Sequence, residues 1–376
     1  MMHHDVIVLG GGTMGTAAAW ELGKRGASAV VLEQFGHVHL NGAHSGETRV
    51  IRHAYAEGAG YVPLVLRADA LWMDLEAASG KHVYHRVGAL ELAGPGREHA
   101  RNAKASAEEH GLSFEWLRPD EIRRRYPQFV VGDDWEGGFG KDGGFLDVDT
   151  ALHALGDQAR ALGVEIREHE PATGWGATEQ GVWVETARGR YTADRLIVTA
   201  GAWSGRIMAE LGMPLRVLRK TLFWFDVEPA VEYEEGAFPV FIIDHEGWEF
   251  YGFPRFGQPG MKAANHAGGD ETTPETVVRS VSEAERAEIG AFAASVIRGA
   301  TGRVLNATTC LYTSTPDADF VIDRHPEHGN VVFGAGFSGH GFKFATAVGE
   351  HLVQLSAGEV EPLPLFALDR FAMVAV

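Results

Sequence analysis

The feature that most constrains the fold is the glycine-rich turn near the start of the chain. Residues 5–9, Asp-Val-Ile-Val-Leu, are a short apolar run of the kind buried on both faces of a parallel sheet. Gly10-Gly-Gly-Thr-Met-Gly15 follows at once, then a helix-forming run over residues 16–24, with Gly26 placed to end the helix. A second buried strand, residues 28–32, ends at Glu33, which completes a βαβ unit. Gly10, Gly12 and Gly15 thus fit G-x-G-x-x-G in the context its mechanism needs, where the first amides of a helix can hold a pyrophosphate. Glu33 is placed to accept from a ribose 2′-hydroxyl and disfavours a 2′-phosphate. The motif calls for a dinucleotide and leaves NAD and FAD both open.

At 376 residues the chain exceeds one ordinary core, so two domains are expected. A balance of 33 basic against 51 acidic residues, net −18, repels polyanions, and neither nucleic acid nor an anionic membrane is expected as a partner. Cys310 is the only cysteine, which excludes an internal disulfide and a cysteine-based zinc site; no metal is expected, and the usage suits a reducing cytoplasm. Residues 1–5 run straight into the first strand without a leader pattern, and no apolar run approaches the ~20 residues of a membrane span. The expectation is a cytoplasmic protein.

Further along, residues 61–75 read as a helix with one apolar face, and residues 150–162 as another. Residues 83–92 and 222–227 are β-rich, and residues 240–243 and 249–253 read as an antiparallel hairpin about Asp244-His-Glu-Gly247. Ser282-Glu-Ala-Glu285 is a capping box ahead of a helix over 286–297. Residues 195–201, 319–322 and 331–336 return to buried strands, the last followed by a glycine loop and a helix over 344–356. The two styles alternate, so the fold class expected is α/β. Residues 1–84, 146–216 and 316–376 would make a discontinuous, doubly wound, Rossmann-like nucleotide domain, and 85–145 and 217–315 an antiparallel-sheet substrate domain.

Three further segments narrow the reading. Thr199-Ala-Gly-Ala-Trp203 and Gly336-Phe-Ser-Gly-His-Gly-Phe-Lys343 resemble the second and third flavin-contacting motifs of D-amino-acid oxidase-like FAD oxidoreductases. With residues 41–55, Asn-Gly-Ala-His-Ser-Gly-Glu-Thr-Arg-Val-Ile-Arg-His-Ala-Tyr, the chain resembles the monomeric sarcosine oxidase and N-methyl-L-tryptophan oxidase family over nearly its whole length. The resemblance implies FAD, tethered through the Cys310 sulfur, and a monomer that takes a small-molecule amino acid substrate and oxygen. Around the first motif it implies cofactor contacts from Thr13, Met14 and Gln34 besides the glycines and Glu33. Elsewhere it implies contacts from Gly42, His44, Thr48 and Arg49, from Ala172, and from Ala200, Gly201 and Trp203. Gly339, Gly341, Phe342 and Lys343 complete the set.

For the substrate, Arg52 and Lys343 match the pair that grips a carboxylate, a fork-shaped guanidinium beside a point charge. Arg49 resembles a residue near the flavin ring, and Lys262 resembles the lysine that activates oxygen by electrostatics. His266, Tyr251 and Tyr312 match residues around the substrate amine. Two positions depart from the pattern: Ser45 replaces a second histidine, and Ile242 replaces a methionine that shields the substrate. The implied reaction is oxidative demethylation of a sarcosine-like amino acid to formaldehyde, the free amino acid and hydrogen peroxide. A bulkier N-methyl aromatic substrate is the alternative, toward which residues 217–224 lean, and an NAD-binding dehydrogenase is a more remote one. Trp248, Phe250 and Phe225 are expected in the core.

Overall fold

The structure, a computed structural model, describes residues 3–374. Its two large sheets explain the alternation of styles. In the first, parallel strands lie in the order Glu165–Arg167, Ala29–Leu32, His3–Leu9, Gly189–Val198 and Val331–Ala335. Val6, Val8 and Val31 face one way into one apolar cluster, while Ile7, Leu9, Val30 and Leu32 face the other way into a second. Burial on both faces is why these strands are continuous apolar runs.

Four helices, Thr13–Lys24, Val62–Ser79, Val148–Ala161 and Ala345–Ser356, pack on the same face. Val62, Val65, Ala68, Leu71, Trp72 and Leu75 supply the buried stripe of the second. The opposite face is closed by an antiparallel meander of Ala172–Thr178, Gly181–Thr186 and the first half of Gly189–Val198, through Val182 and Val184. The sheet is therefore not doubly wound. The segment that could have supplied helices to the second face carries period-2 alternation, as in Val182-Trp-Val184, and covers it as strands.

The second sheet has nine strands. The long pair Arg216–Val227 and Ala300–Ser314 lies toward one edge, followed across the sheet by Met261–Asn265, Trp248–Arg255, Val240–His245 and Ala89–Ala93. All of these pairings are antiparallel except one: Val240–His245 runs parallel to Ala89–Ala93, because a long excursion of chain separates the two strands. The hairpin turns at Glu246 and Gly247, both at positive φ. Helix Glu283–Val296, opened by the Ser282–Glu285 capping box, covers the outer face through Ile289, Phe292 and Val296. Phe225 and Phe250 join that core, and Trp248 stacks on Phe292 at 4.5 Å.

The pleat decides what faces the other way. Phe223, Phe225, Phe241, Ile243, Phe250, Met261 and Ala263 point to the helix-covered core. Their neighbours Leu222, Trp224, Ile242, Tyr251, Lys262 and Ala264 consequently point toward the first sheet. A small third sheet of Thr48–Ile51, Gly144–Asp147 and Tyr84–His85 links the two bodies.

Gly15 holds the first turn together. A Cβ there would lie 1.8 Å from the Gly10 carbonyl oxygen and 2.7 Å from Thr199 Oγ1, whereas one at Gly12 would meet nothing within 4 Å. Gly15→Ala should cost about 1–3 kcal/mol and lower the thermal midpoint, and Gly12→Ala should leave it nearly unchanged. Equal losses in the two variants would contradict this account of the turn.

Candidate active site

The first cavity lies where parallel-sheet folds bind ligands, at the carboxyl ends of the strands. Leu9, Leu32, Thr199 and Gly336, which end or follow four of the strands, all line it. The N-terminus of helix Thr13–Lys24 opens onto it, with Gly12 as N-cap, no side chain capping it and no acid in its first turn. Such an end presents bare amides and a positive dipole, which fits a pyrophosphate. Glu33 stands on the rim; its Oε2 accepts from Gly11 N at 2.8 Å and its Oε1 from Phe35 N at 2.7 Å. Burial pushes its carboxyl up despite these amides.

The second cavity, of about 610 Å³, adjoins the first: Arg49, Tyr312, Gly339 and Phe342 line both. Ile242, Tyr251 and His266 come to it from the second sheet, and Arg52, His340 and Lys343 from the first body. Arg49 donates to the carbonyls of Thr48, Ala43 and Ser45 at 2.8, 2.8 and 2.7 Å and, among the described residues, pairs with no carboxylate. Lys343 donates to the His340 carbonyl at 2.9 Å and to Tyr55 Oη at 3.1 Å. His340 Nε2 donates to the Ala318 carbonyl, which leaves Nδ1 to accept from the Tyr55 hydroxyl at 2.7 Å. Arg52 is paired, to Glu57 at 2.5 Å and, at 3.7 Å, to Glu91.

Burial sets the protonation states here. Lys343 is pulled down to about 7 by burial and then by Arg52, with Glu57 and Glu91 opposing. His266 falls to about 3, again chiefly through burial, and stays neutral; its Nδ1 lies 3.3 Å from Tyr312 Oη. Burial would raise Glu57, but Arg52, His340 and Lys343 more than offset it and hold the carboxylate well below its usual range.

Of the residues singled out in the sequence, Gly10, Gly12, Thr13, Met14, Glu33 and Gln34 line the first cavity, as do Gly42, His44, Ala172, Ala200, Gly201 and Trp203. So do Arg49, Gly339, Gly341 and Phe342. Gly15, Thr48, Lys262 and Cys310 line neither cavity. Gly15 is packed on Gly10. Lys262 is buried behind Thr48, donating to the carbonyls of Gly46 and Thr48 and to Thr48 Oγ1, the last two at 2.8 and 3.0 Å. Burial and Arg49 hold its ammonium far below the ordinary lysine range. Cys310 is buried opposite Lys220 in the long strand pair. Burial pushes its thiol up, against the pull of Arg49, Lys262 and Lys220. Ser45 is buried and donates to the Thr309 carbonyl at 2.9 Å. No residue of 217–224 lines the second cavity, so that segment does not speak to substrate size.

The signature of the FAD dependent oxidoreductase family matches residues 5–355. The chain belongs to this family. It is 38% identical to the monomeric sarcosine oxidase of Bacillus sp. (strain B-0618), over 99% of this chain and 97% of that one. It is 34% identical to the N-methyl-L-tryptophan oxidase of Yersinia pestis (strain Pestoides F), over 98% and 100%. Among solved structures, the amino acid oxidase NikD of nikkomycin biosynthesis shares the fold with a TM-score of 0.84, at 23% identity and 98% coverage of both chains. The oxidoreductase is thus a flavin protein, and the dehydrogenase alternative that takes NAD is set aside.

The sequence did not single out Tyr55, Glu57, Lys220 or Glu249. Tyr55 and Glu57 sit in irregular chain with no periodicity to mark them. Lys220 carried a usable signal, a lysine between apolar positions of a strand; it is buried and donates to the carbonyls of His266, Ala267 and Gly268. Burial brings it to about 8.

Lys343 makes anion binding depend on pH. An anion binds the protonated ammonium, so affinity is full below the free-site value of about 7. Above it, affinity falls by up to about tenfold per unit until the bound-state value is passed. Titration with propionate, which does not itself change charge above pH 6, should show this decline, and Lys343→Met should flatten it. A pH-independent affinity in the wild type would contradict the assignment.

Proposed function

We propose that the oxidoreductase oxidises an N-methyl amino acid at its methyl group. A hydride leaves the N-methyl carbon, the resulting imine is hydrolysed to formaldehyde and the free amino acid, and oxygen is reduced to hydrogen peroxide. FAD, when bound, accepts the hydride and returns the electron pair to oxygen. The observation that carries this reading is the adjoining of the two cavities. One offers an uncapped helix end, and the other offers Arg49, Arg52 and Lys343 with a neutral histidine and two tyrosines.

On this reading Arg52 and Lys343 hold the substrate carboxylate, and Tyr251, Tyr312, Ile242 and neutral His266 surround the amine. The local positive field favours the amine's neutral form, which hydride loss requires, without a dedicated base. Lys262 and Arg49 supply positive charge where oxygen is reduced. Gly15 and Thr48 support the cofactor site from behind, with the remaining cavity-lining residues in contact with it. Cys310 is the tether, with Arg49, Lys262 and Lys220 opposing the burial that raises its thiol. Residues 1–84, 146–216 and 316–376 form the cofactor domain and 85–145 with 217–315 the substrate domain. The chain works as a monomer in the cytoplasm, the first in keeping with the name of its Bacillus relative. Among the described residues no helix is long and apolar enough to cross a membrane.

Peroxide release on sarcosine, N-methyltryptophan and proline tests the reaction; silence on every secondary amino acid would overturn it. The tether is tested by acid precipitation: colour should stay in the wild-type pellet and pass to the supernatant with Cys310→Ala. Lys262→Met should slow the reaction of the reduced protein with oxygen by roughly 10²–10³ while sparing its reduction by substrate. Equal losses in both half-reactions would remove Lys262 from its role.

A further inference from the structure

The second cavity is lined by charges of both signs, Arg49, Arg52, Arg97 and Lys343 among Glu57, Glu98, Asp244 and Glu249. Most of these acids are engaged or exposed. Glu57 is held by Arg52 and Asp244 by Arg97, each at 2.5 Å, and Glu98 is exposed to water. His99 is occupied by Glu91 at 2.8 Å. Glu249 is different. It is half-buried, and among the described residues its carboxylate has neither an ion pair nor a hydrogen bond.

Its position is set by a sheet. Glu249 pairs with Asp244 across the hairpin, and its backbone amide is fixed on Asn265 Oδ1 at 3.1 Å. It lies two residues from Tyr251 on the same strand, so both side chains leave the same face and their Cα atoms are roughly 7 Å apart. Burial, with Asp244 and Glu57, pushes the Glu249 carboxyl up despite His99 and Arg97. The carboxylate is therefore open to a cation that enters the cavity. Sarcosine has no side chain and would leave most of the 610 Å³ to water.

We propose that the preferred substrate is an N-methyl amino acid whose side chain ends in a cation, ammonium or guanidinium, and that Glu249 selects it by accepting from that group. This rests on the reading of the cavity as an N-methyl amino acid site. With the carboxylate at Arg52 and Lys343 and the amine beside Tyr251, an extended lysine-length side chain spans the distance to Glu249. Neutral side chains of equal length lack this distal contact.

The test compares kcat/KM for Nα-methyllysine with that for its neutral isostere 2-(methylamino)heptanoate on the flavin-loaded protein. The wild type should favour the lysine derivative by about tenfold or more, the size of one charged hydrogen bond. Glu249→Gln should bring the ratio close to one, and Glu249→Lys should shift preference toward N-methylglutamate. A wild-type ratio near one, or one that Glu249→Gln leaves unchanged, would overturn the selection while sarcosine turnover left the reaction itself standing. Absence of turnover with all four substrates, sarcosine included, would overturn the reaction and this inference together.

Discussion

Cations held without carboxylate partners are the constraint on which the site depends. Lys220, Lys262 and Lys343 are 5%, 3% and 6% exposed, and each is bound by carbonyls and hydroxyls alone. Half-buried Arg49 likewise donates only to carbonyls. The chain has 51 acidic residues, yet among the described residues none forms an ion pair with these four cations. Burying charge in this way is costly, and the cost appears as depressed lysine values, to about 8 for Lys220 and about 7 for Lys343. An anionic ligand offsets that cost, which makes the cluster a functional device and a poor source of stability.

Two sheets with different burial make the cluster. The first is buried on both faces, so the carboxyl-terminal halves of its central strands are apolar, and its chemistry comes from the turns that follow them. The second is covered along one face by helix Glu283–Val296, while most of its other face meets the first body. Its pleat therefore sends every second side chain toward the first body, and Ile242, Tyr251 and Lys262 arrive by parity. The small sheet containing Thr48–Ile51 fixes the segment that carries Arg49 and Thr48 against Gly144–Asp147.

Much of this is legible in the chain itself. The first βαβ unit, the capping box at Ser282 and the hairpin at Glu246-Gly247 are local patterns, and local patterns are what a sequence displays. The packing of all four helices on one face is not local. Nothing in residues 13–24 or 345–356 says which side of the sheet they take, and the claim of the 172–198 meander on the other side is a tertiary outcome. The parallel pairing of Val240–His245 with Ala89–Ala93 is hidden for the same reason. Within the site, glycines and cations in motifs were readable, whereas Glu57 and Glu249 acquire meaning only through the partners they have or lack.

The most direct test of the central claim is a crystal structure of the flavin-loaded protein with a non-reactive carboxylate, such as propionate. The account predicts the carboxylate in the second cavity, within hydrogen-bond distance of both Arg52 and Lys343. A carboxylate bound elsewhere, with Lys343 still held only by Tyr55 and His340, would contradict it.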